Sequence, residues 1–210
     1  MRDISLPWLS TRLIVVVVGA AMAAALAGFA LWWWLDARER EAVTAYLAAM
    51  KNVPADGTPA PEVRAAAARE LEATLARYPS SSLAPLAAYE LGNLRYAERD
   101  WARARAAWEV AAARTPSSTL RTLARAAIAY SWEAERNYER AAAAFQFALE
   151  GLGPGDFPYA DLLLDLARVQ ELAGQKDAAI ETYRRLLKDV PQSPRAEEVK
   201  VRLARLGAGP

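Results

Sequence analysis

Residues 13–35 read LIVVVVGAAMAAALAGFALWWWL, a run with no charged residue and no proline. As a helix this run is roughly 34 Å long, enough to cross a hydrocarbon core of about 30 Å with some tilt. A lone span in lipid must satisfy its own backbone polar groups, and a helix does so. Trp32, Trp33 and Trp34 close the run and Trp8 precedes it, the placement expected of an interfacial aromatic belt. A cleaved signal peptide fits less well. It has an apolar core of about 7–15 residues before a small-residue cleavage site, whereas here bulky tryptophans stand where cleavage is expected. A core helix of a soluble domain rarely runs this far without a polar residue. With no cysteine, a lipoprotein anchor is impossible. The sequence therefore predicts an uncleaved, single-pass transmembrane helix.

The count of basic residues near the span is level, with Arg2 and Arg12 before it and Arg38 and Arg40 after it. The short amino-terminal tail and the acids interleaved after Leu35 favour an inside amino terminus and a body on the opposite side. Ala20, Ala24 and Gly28 recur at intervals of four, a spacing that lets a second transmembrane helix pack closely.

Setting aside residues 1–35, which hold Arg2, Arg12 and Asp3, leaves 24 basic and 24 acidic residues. A body of formal charge zero has no global pull on nucleic acid or anionic lipid. Alanine and leucine dominate and glycine is scarce, so the body reads as all-helical. The absence of cysteine and histidine removes Cys and His nucleophiles and bases, the common zinc sites and His-ligated haem. The expectation is a protein that is not an enzyme, with no cofactor and no metal.

Nothing breaks a helix between Leu35 and Pro54, so the span should continue to about Lys51. Val43, Tyr46, Leu47 and Met50 give this extension an apolar stripe. Residues 52–61, NVPADGTPAP, read as a loop. Pro61 and Glu62 then open a helix to about Tyr78 with Val63, Ala67, Leu71, Leu75 and Tyr78 on one face. The serines before Leu83 offer an N-cap for a helix to about Glu98.

From here the chain repeats. In residues 90–116, 127–154 and 165–191 a helix breaks at a polar residue (Asp100, Asn137, Lys176) and a second helix follows. The second helices carry the sets Ala104/Trp108/Ala111, Ala141/Phe145/Ala148 and Ala179/Tyr183/Leu186, so the aromatics recur every 37 or 38 residues. Self-similarity at this period predicts stacked helical hairpins, in which small residues allow close approach and the aromatic fills the space between hairpins. The pattern resembles the tetratricopeptide repeat. Leu91-Gly92, Ala104, Trp108, Ala111 and Pro116 match that family's marked positions in order, as do Leu166, Gly174, Ala179, Tyr183 and Pro191. The middle hairpin matches less well, with Ile128-Ala129 and a glycine-rich loop, GLGPGD. Helix 62–78 reads as the second helix of a hairpin begun by residues 38–51. The stretch after Pro191 reads as a capping helix with Ala196, Val199, Leu203 and Leu206 inward.

In that family the first helix of each hairpin lines a concave face. The resemblance places Leu86, Tyr89, Asn93 and Tyr96 there from the first hairpin. It places Leu123, Ala126, Tyr130 and Glu133 from the second, and Asp161, Leu164, Arg168 and Glu171 from the third. Such a groove suits an extended segment or helix held by ring stacking and amide bonds. Tyr89, Asn93, Tyr96, Tyr130, Glu133 and Arg168 are thus the candidate partner-binding residues. A carboxylate clamp is disfavoured, because Tyr89 and Ala126 stand where basic residues are wanted. Asp161 and Asp165, four apart, read as first-turn acids favoured by the helix dipole. Arg95, Arg99, Arg103 and Arg105, interleaved with acids, read as a solvated, salt-bridged surface.

The fold class expected is all-α: a transmembrane helix, then an α-solenoid of tetratricopeptide-like hairpins with a capping helix. The divisions are a tail over 1–12, the span over 13–35, a helical extension and loop over 36–61 and the repeat domain over 62–210. This architecture, and the phrase ARYPSSSLAPLAAYELGNLRYAERDWARA at residues 76–104, resembles the ancillary Sec-translocon subunit family and the related periplasmic cell-division coordinators. The resemblance implies a bacterial inner-membrane protein with a cytoplasmic amino terminus and a periplasmic repeat domain. It would act as an adaptor near the translocon that hands emerging chains to chaperones. The alternative is a non-catalytic structural subunit of a larger respiratory, photosynthetic or secretory membrane complex. In either case the partners are other proteins and the membrane, not nucleic acid.

Overall fold

The computed structural model describes residues 11–53 and 60–209, with side chains from residue 13 onward. Among the described residues there are nine helices and no strand. They are α1 (Thr11–Lys51), α2 (Pro61–Arg77), α3 (Ala84–Ala97), α4 (Trp101–Arg114), α5 (Ser118–Ala134), α6 (Tyr138–Leu149), α7 (Tyr159–Leu172), α8 (Lys176–Asp189) and α9 (Ala196–Arg205). Each packs chiefly on its neighbours in sequence, which makes the body a stack of hairpins: a solenoid of tetratricopeptide-like repeats.

The apolar run and the first repeat helix are one continuous helix, roughly 60 Å long. Residues 13–35 of α1 are exposed throughout, and α1 is long and apolar enough to cross a membrane. Past Leu35 the helix joins the body. Its buried face there is Ala42, Tyr46 and Ala49, with Met50 partly buried beside them; of the Val43, Tyr46, Leu47 and Met50 stripe expected from hydrophobicity, Tyr46 and Met50 pack on the body. Leu47 is 59% exposed. At about 100° per residue Leu47 lies well round the helix from Ala42, and the small alanines are what admit α2 at close range. Three acceptors fasten this end of α1. The Tyr46 hydroxyl donates to the Tyr78 carbonyl (2.9 Å), and burial pushes it up to about 12, so it remains a donor at neutral pH. The Glu41 carboxylate accepts from Tyr78 Oη (2.6 Å) and Arg77 (3.0 Å). The Glu39 carboxylate accepts from Ser81 Oγ, the Ser82 amide and Ser82 Oγ in the α2–α3 turn.

On α2, Ala67, Ala68, Leu71 and, beyond its end, Tyr78 are buried, but Val63 is 48% exposed. Asn52 reaches Glu70 (2.9 Å), so the first turns of α2 run past the end of α1 and Val63 meets none of its buried face.

All nine expected packing residues of the second helices are buried: Ala104, Trp108 and Ala111; Ala141, Phe145 and Ala148; Ala179, Tyr183 and Leu186. The turns inside the hairpins share one geometry. The amides of Asp100, Asn137 and Gln175 donate to the carbonyls of Arg95, Trp132 and Gln170, each at 2.9 Å, and Ala208 donates to Leu203 likewise. This is a Schellman ending, with a left-handed residue at Arg99, Arg136, Gly174 and Gly207. Two positions read from sequence therefore move. The third break falls at Gln175, with Lys176 already helical. Gly174 serves the left-handed turn, and the position matching Gly92 is Ala167. Asp100 and Asn137 cap the following helices through Arg103 and Arg140 amides. The shared turn also puts α9 in the place of a first helix, sealing the third hairpin with Val199 and Leu203 as expected.

Gly92 meets Trp108 face on: a Cβ added there lies 2.4 Å from the indole nitrogen. One period on, the corresponding buried pair is Ala129 with the smaller Phe145. At an open helix position Gly→Ala gains about 1 kcal/mol. Here Gly92→Ala is expected to cost about 1–3 kcal/mol through overpacking. Adding Trp108→Phe, which recreates the Ala129/Phe145 arrangement, should recover most of that loss in chemical denaturation. A Gly92→Ala chain as stable as its parent would rule out the close approach.

Candidate functional site

The first helices do face a common cleft. It holds about 480 Å³ and is lined by Tyr89 from α3, Leu123, Ala126 and Tyr130 from α5, Phe157 from the α6–α7 turn, and Asp161 and Leu164 from α7. That volume lies within the range usual for ligand sites. The stagger of successive hairpins opens it, and Phe157, 69% exposed, stands at its edge.

The six candidate partner-binding residues divide into three groups. Tyr89 and Tyr130 line the cleft. The Tyr130 ring packs edge-on against buried Phe145 (5.0 Å, 83°), and its hydroxyl donates to Asp165 Oδ2 at 2.5 Å. Burial first, then the Asp165 carboxylate, pushes that hydroxyl well above the usual tyrosine range. Glu133 and Arg168 form a two-pronged ion pair: Arg168 Nη1 donates to Glu133 Oε1, and Nη2 donates to Glu133 Oε2 and Asp165 Oδ1, each at 2.9 Å. Glu133 is the main cause that holds the Arg168 guanidinium above its ordinary value. This network ties α5 to α7 across two hairpins, and its polar groups are spent on one another. Asn93 and Tyr96 belong to the core around Trp108. The indole N–H of Trp108 is shared between the Tyr89 carbonyl (3.2 Å) and Asn93 Oδ1 (3.3 Å). The Tyr96 ring meets Trp101 at 4.8 Å and Trp108 at 5.8 Å.

Asp165 is therefore an inter-hairpin ligand and not a helix-dipole acid. Asp161 does sit in the first turn of α7, exposed, and leaves a carboxylate open to the cleft. Phe157 and Arg195, which also reaches the cleft, were not singled out from sequence. An aromatic residue alone in the glycine-rich loop GLGPGDFP was the available signal for Phe157.

The arginine run is also less uniform than its sequence suggests. Arg103 pairs with Asp100 on the surface. Arg105 reaches Glu135 (2.7 Å) and Ser131 on α5, and its guanidinium lies 3.5 Å over the Trp132 ring. Arg95 is 7% exposed, not solvated. It donates to Glu72 Oε1 through Nη2 (2.6 Å) and Nε (3.2 Å), and to Glu98 Oε2 through Nη1 (2.8 Å).

On α1, Trp32, Trp33 and Trp34 are exposed, and so are Ala20, Ala24 and Gly28; nothing comes within 4 Å of a Cβ built on Gly28. Trp8 lies outside the described residues.

A family model for the tetratricopeptide repeat matches residues 133–203, from the end of α5 into α9. The hairpin of α3 and α4, which carries Leu91-Gly92, Ala104, Trp108, Ala111 and Pro116, lies outside that match but packs in the same way. A search among curated proteins finds no match to the chain. Residues 133–203 are thus similar to the tetratricopeptide repeat, whose hairpin packing the whole repeat stack shares, and repeats of this kind are in general protein-binding modules.

Proposed function

We propose that the protein is a membrane-tethered scaffold that offers the cleft over α3, α5 and α7 to another protein. The observation that carries this reading is α1 itself. Its apolar half is wholly unburied by the chain, while its other half is the first helix of the repeat stack. An apolar surface of that length needs a solvent other than water. The repeat domain stands on the extracytoplasmic side of a bacterial inner membrane, near the translocon and its chaperones. The short amino-terminal tail and the interleaved acids after Leu35 support the side, and the resemblance of the architecture supports the neighbourhood.

The partner segment suited to the cleft carries an apolar side chain beside a lysine or arginine. The apolar group has Leu123, Tyr89 and exposed Phe157 to meet, and the cation has the Asp161 carboxylate. The test uses the full chain, affinity-tagged and solubilised in mild detergent, with mass spectrometry of what co-purifies. Translocon components or chaperones are expected, and Phe157→Ser with Asp161→Asn should reduce their recovery about tenfold or more. A fixed stoichiometric set of other membrane proteins, retained by that variant, would instead make the protein a structural subunit of their complex. Release of the chain from membranes by alkaline carbonate would end the tether.

A further inference from the structure

Where α1 leaves its apolar run it meets the α2–α3 turn, and the two enclose a second cleft of about 370 Å³. Leu35, Arg38 and Ala42 line one side of it, and Arg77, Pro79 and Ser80 the other. The acids around it are already committed. Glu39 accepts from Ser81 and Ser82, and the Ser82 hydroxyl, the largest influence, helps hold its carboxyl below the usual range. Glu41 accepts from Arg77 and Tyr78, and Asp36 pairs with Arg40. Among the described residues no carboxylate pairs with Arg38, whose guanidinium lies over the Trp34 ring at 5.3 Å. Arg77 lies over the Tyr78 ring at 5.1 Å and pairs with Glu41 in a contact open to water on both sides, the weak kind that exchanges readily. A third cation, Arg114, lines the neighbouring cleft and donates to the carbonyl of Pro79, a residue shared by both, at 2.9 Å.

Depth is a second, independent observation. Arg38 and Ala42 lie three and seven residues past Leu35, about 4.5 and 10 Å along the helix. The polar layer on each side of a bilayer is about 5–8 Å thick. Leu31, Leu35, Arg38 and Ala42 also fall on one stripe of α1 by helical spacing. A molecule whose anionic group meets Arg38 would therefore have Leu35 and exposed Leu31 directly beneath it.

We propose that this cleft binds the phosphate of an anionic membrane phospholipid. The Arg38 and Arg77 guanidiniums donate to its oxygens, and its acyl chains lie along Leu35 and Leu31. The proposal rests on residues 13–35 spanning the bilayer. A free phosphate would meet the same guanidiniums but gain nothing from the leucines, which favours the lipid.

The test reconstitutes the full chain into nanodiscs of phosphatidylcholine doped with phosphatidylglycerol and counts retained lipids by native mass spectrometry. The parent is expected to keep phosphatidylglycerol in preference to phosphatidylcholine. Arg38→Gln with Arg77→Gln should lower that preference about thirtyfold, the effect of two cations at a membrane surface, while Arg205→Gln on distant α9 leaves it unchanged. Equal retention by parent and double variant overturns the proposal, as does displacement of the lipid by millimolar inorganic phosphate. Should the double variant misfold by circular dichroism, a photoactivatable phosphatidylglycerol on the parent decides. Adducts within residues 35–42 or 77–82 support the site, and adducts only elsewhere overturn it. A chain that does not enter nanodiscs at all would refute the span, and with it the lipid site that rests on it; one that enters and shows no preference would refute the lipid site alone.

Discussion

Trp108→Ala is expected to lower the stability of the repeat domain by about 3–5 kcal/mol. In a body of this size the thermal midpoint should then fall by about 10 °C or more. The indole is 2% exposed and sits in the cluster that joins α3, α4 and α5. Its removal opens a cavity between hairpins. It also leaves Asn93 Oδ1 without the indole proton and takes away one of the two rings against which Tyr96 packs. Solenoids are stabilised by interfaces between neighbours, so the loss should be felt by α1–α3 on one side and α5–α9 on the other. Circular dichroism melts of the detergent-solubilised full chain measure this directly. A midpoint equal to the parent's would mean that the indole lies outside the core.

The second large effect is electrostatic. Arg95→Ala should cost about 3 kcal/mol or more, because it strips the partner from acids on two elements in a poorly hydrated place. Glu98 suffers most: its Oε2 loses the guanidinium, while its Oε1 is buried with no hydrogen-bond partner among the described residues. Replacing the pair by apolar groups, Arg95→Met with Glu98→Leu, should recover most of the loss, since the buried acid goes with the guanidinium and the acid that remains, Glu72, is open to water. Urea denaturation of the two single variants and the double gives the coupling between the residues. Simple additivity would show that Arg95 and Glu98 act independently.

These two residues also mark what a sequence can and cannot convey. Trp108 was legible because the packing rule it obeys is periodic: small, aromatic, small, returning every 37 or 38 residues in three hairpins. The apolar run was legible because length and the absence of charge are one-dimensional properties. Arg95 was misread as solvated because its partner Glu72 lies 23 residues away on α2, and no local pattern announces a pair across elements. Leu47 and Val63 failed for a related reason. Hydrophobicity chose them, but the approach of α2 along α1 chose Ala42 and Ala49. At the cleft, Tyr89 and Tyr130 could be placed from the repeat register. The register could not say that Asn93 serves Trp108, or that Glu133 and Arg168 neutralise each other. Nor could it say that Phe157, from a loop, would stand at the edge.

The unbroken passage of α1 into the repeat stack, pinned by Glu39, Glu41 and Tyr46, makes the body behave as the head of a rigid mast. No hinge lies between residue 13 and the first hairpin to absorb a rotation. Whatever grips residues 13–35 sets the compass bearing of Tyr89, Phe157 and Asp161. A neighbour that rolls this helix by one residue's worth of turn would swing the cleft through about 100° without ever touching it.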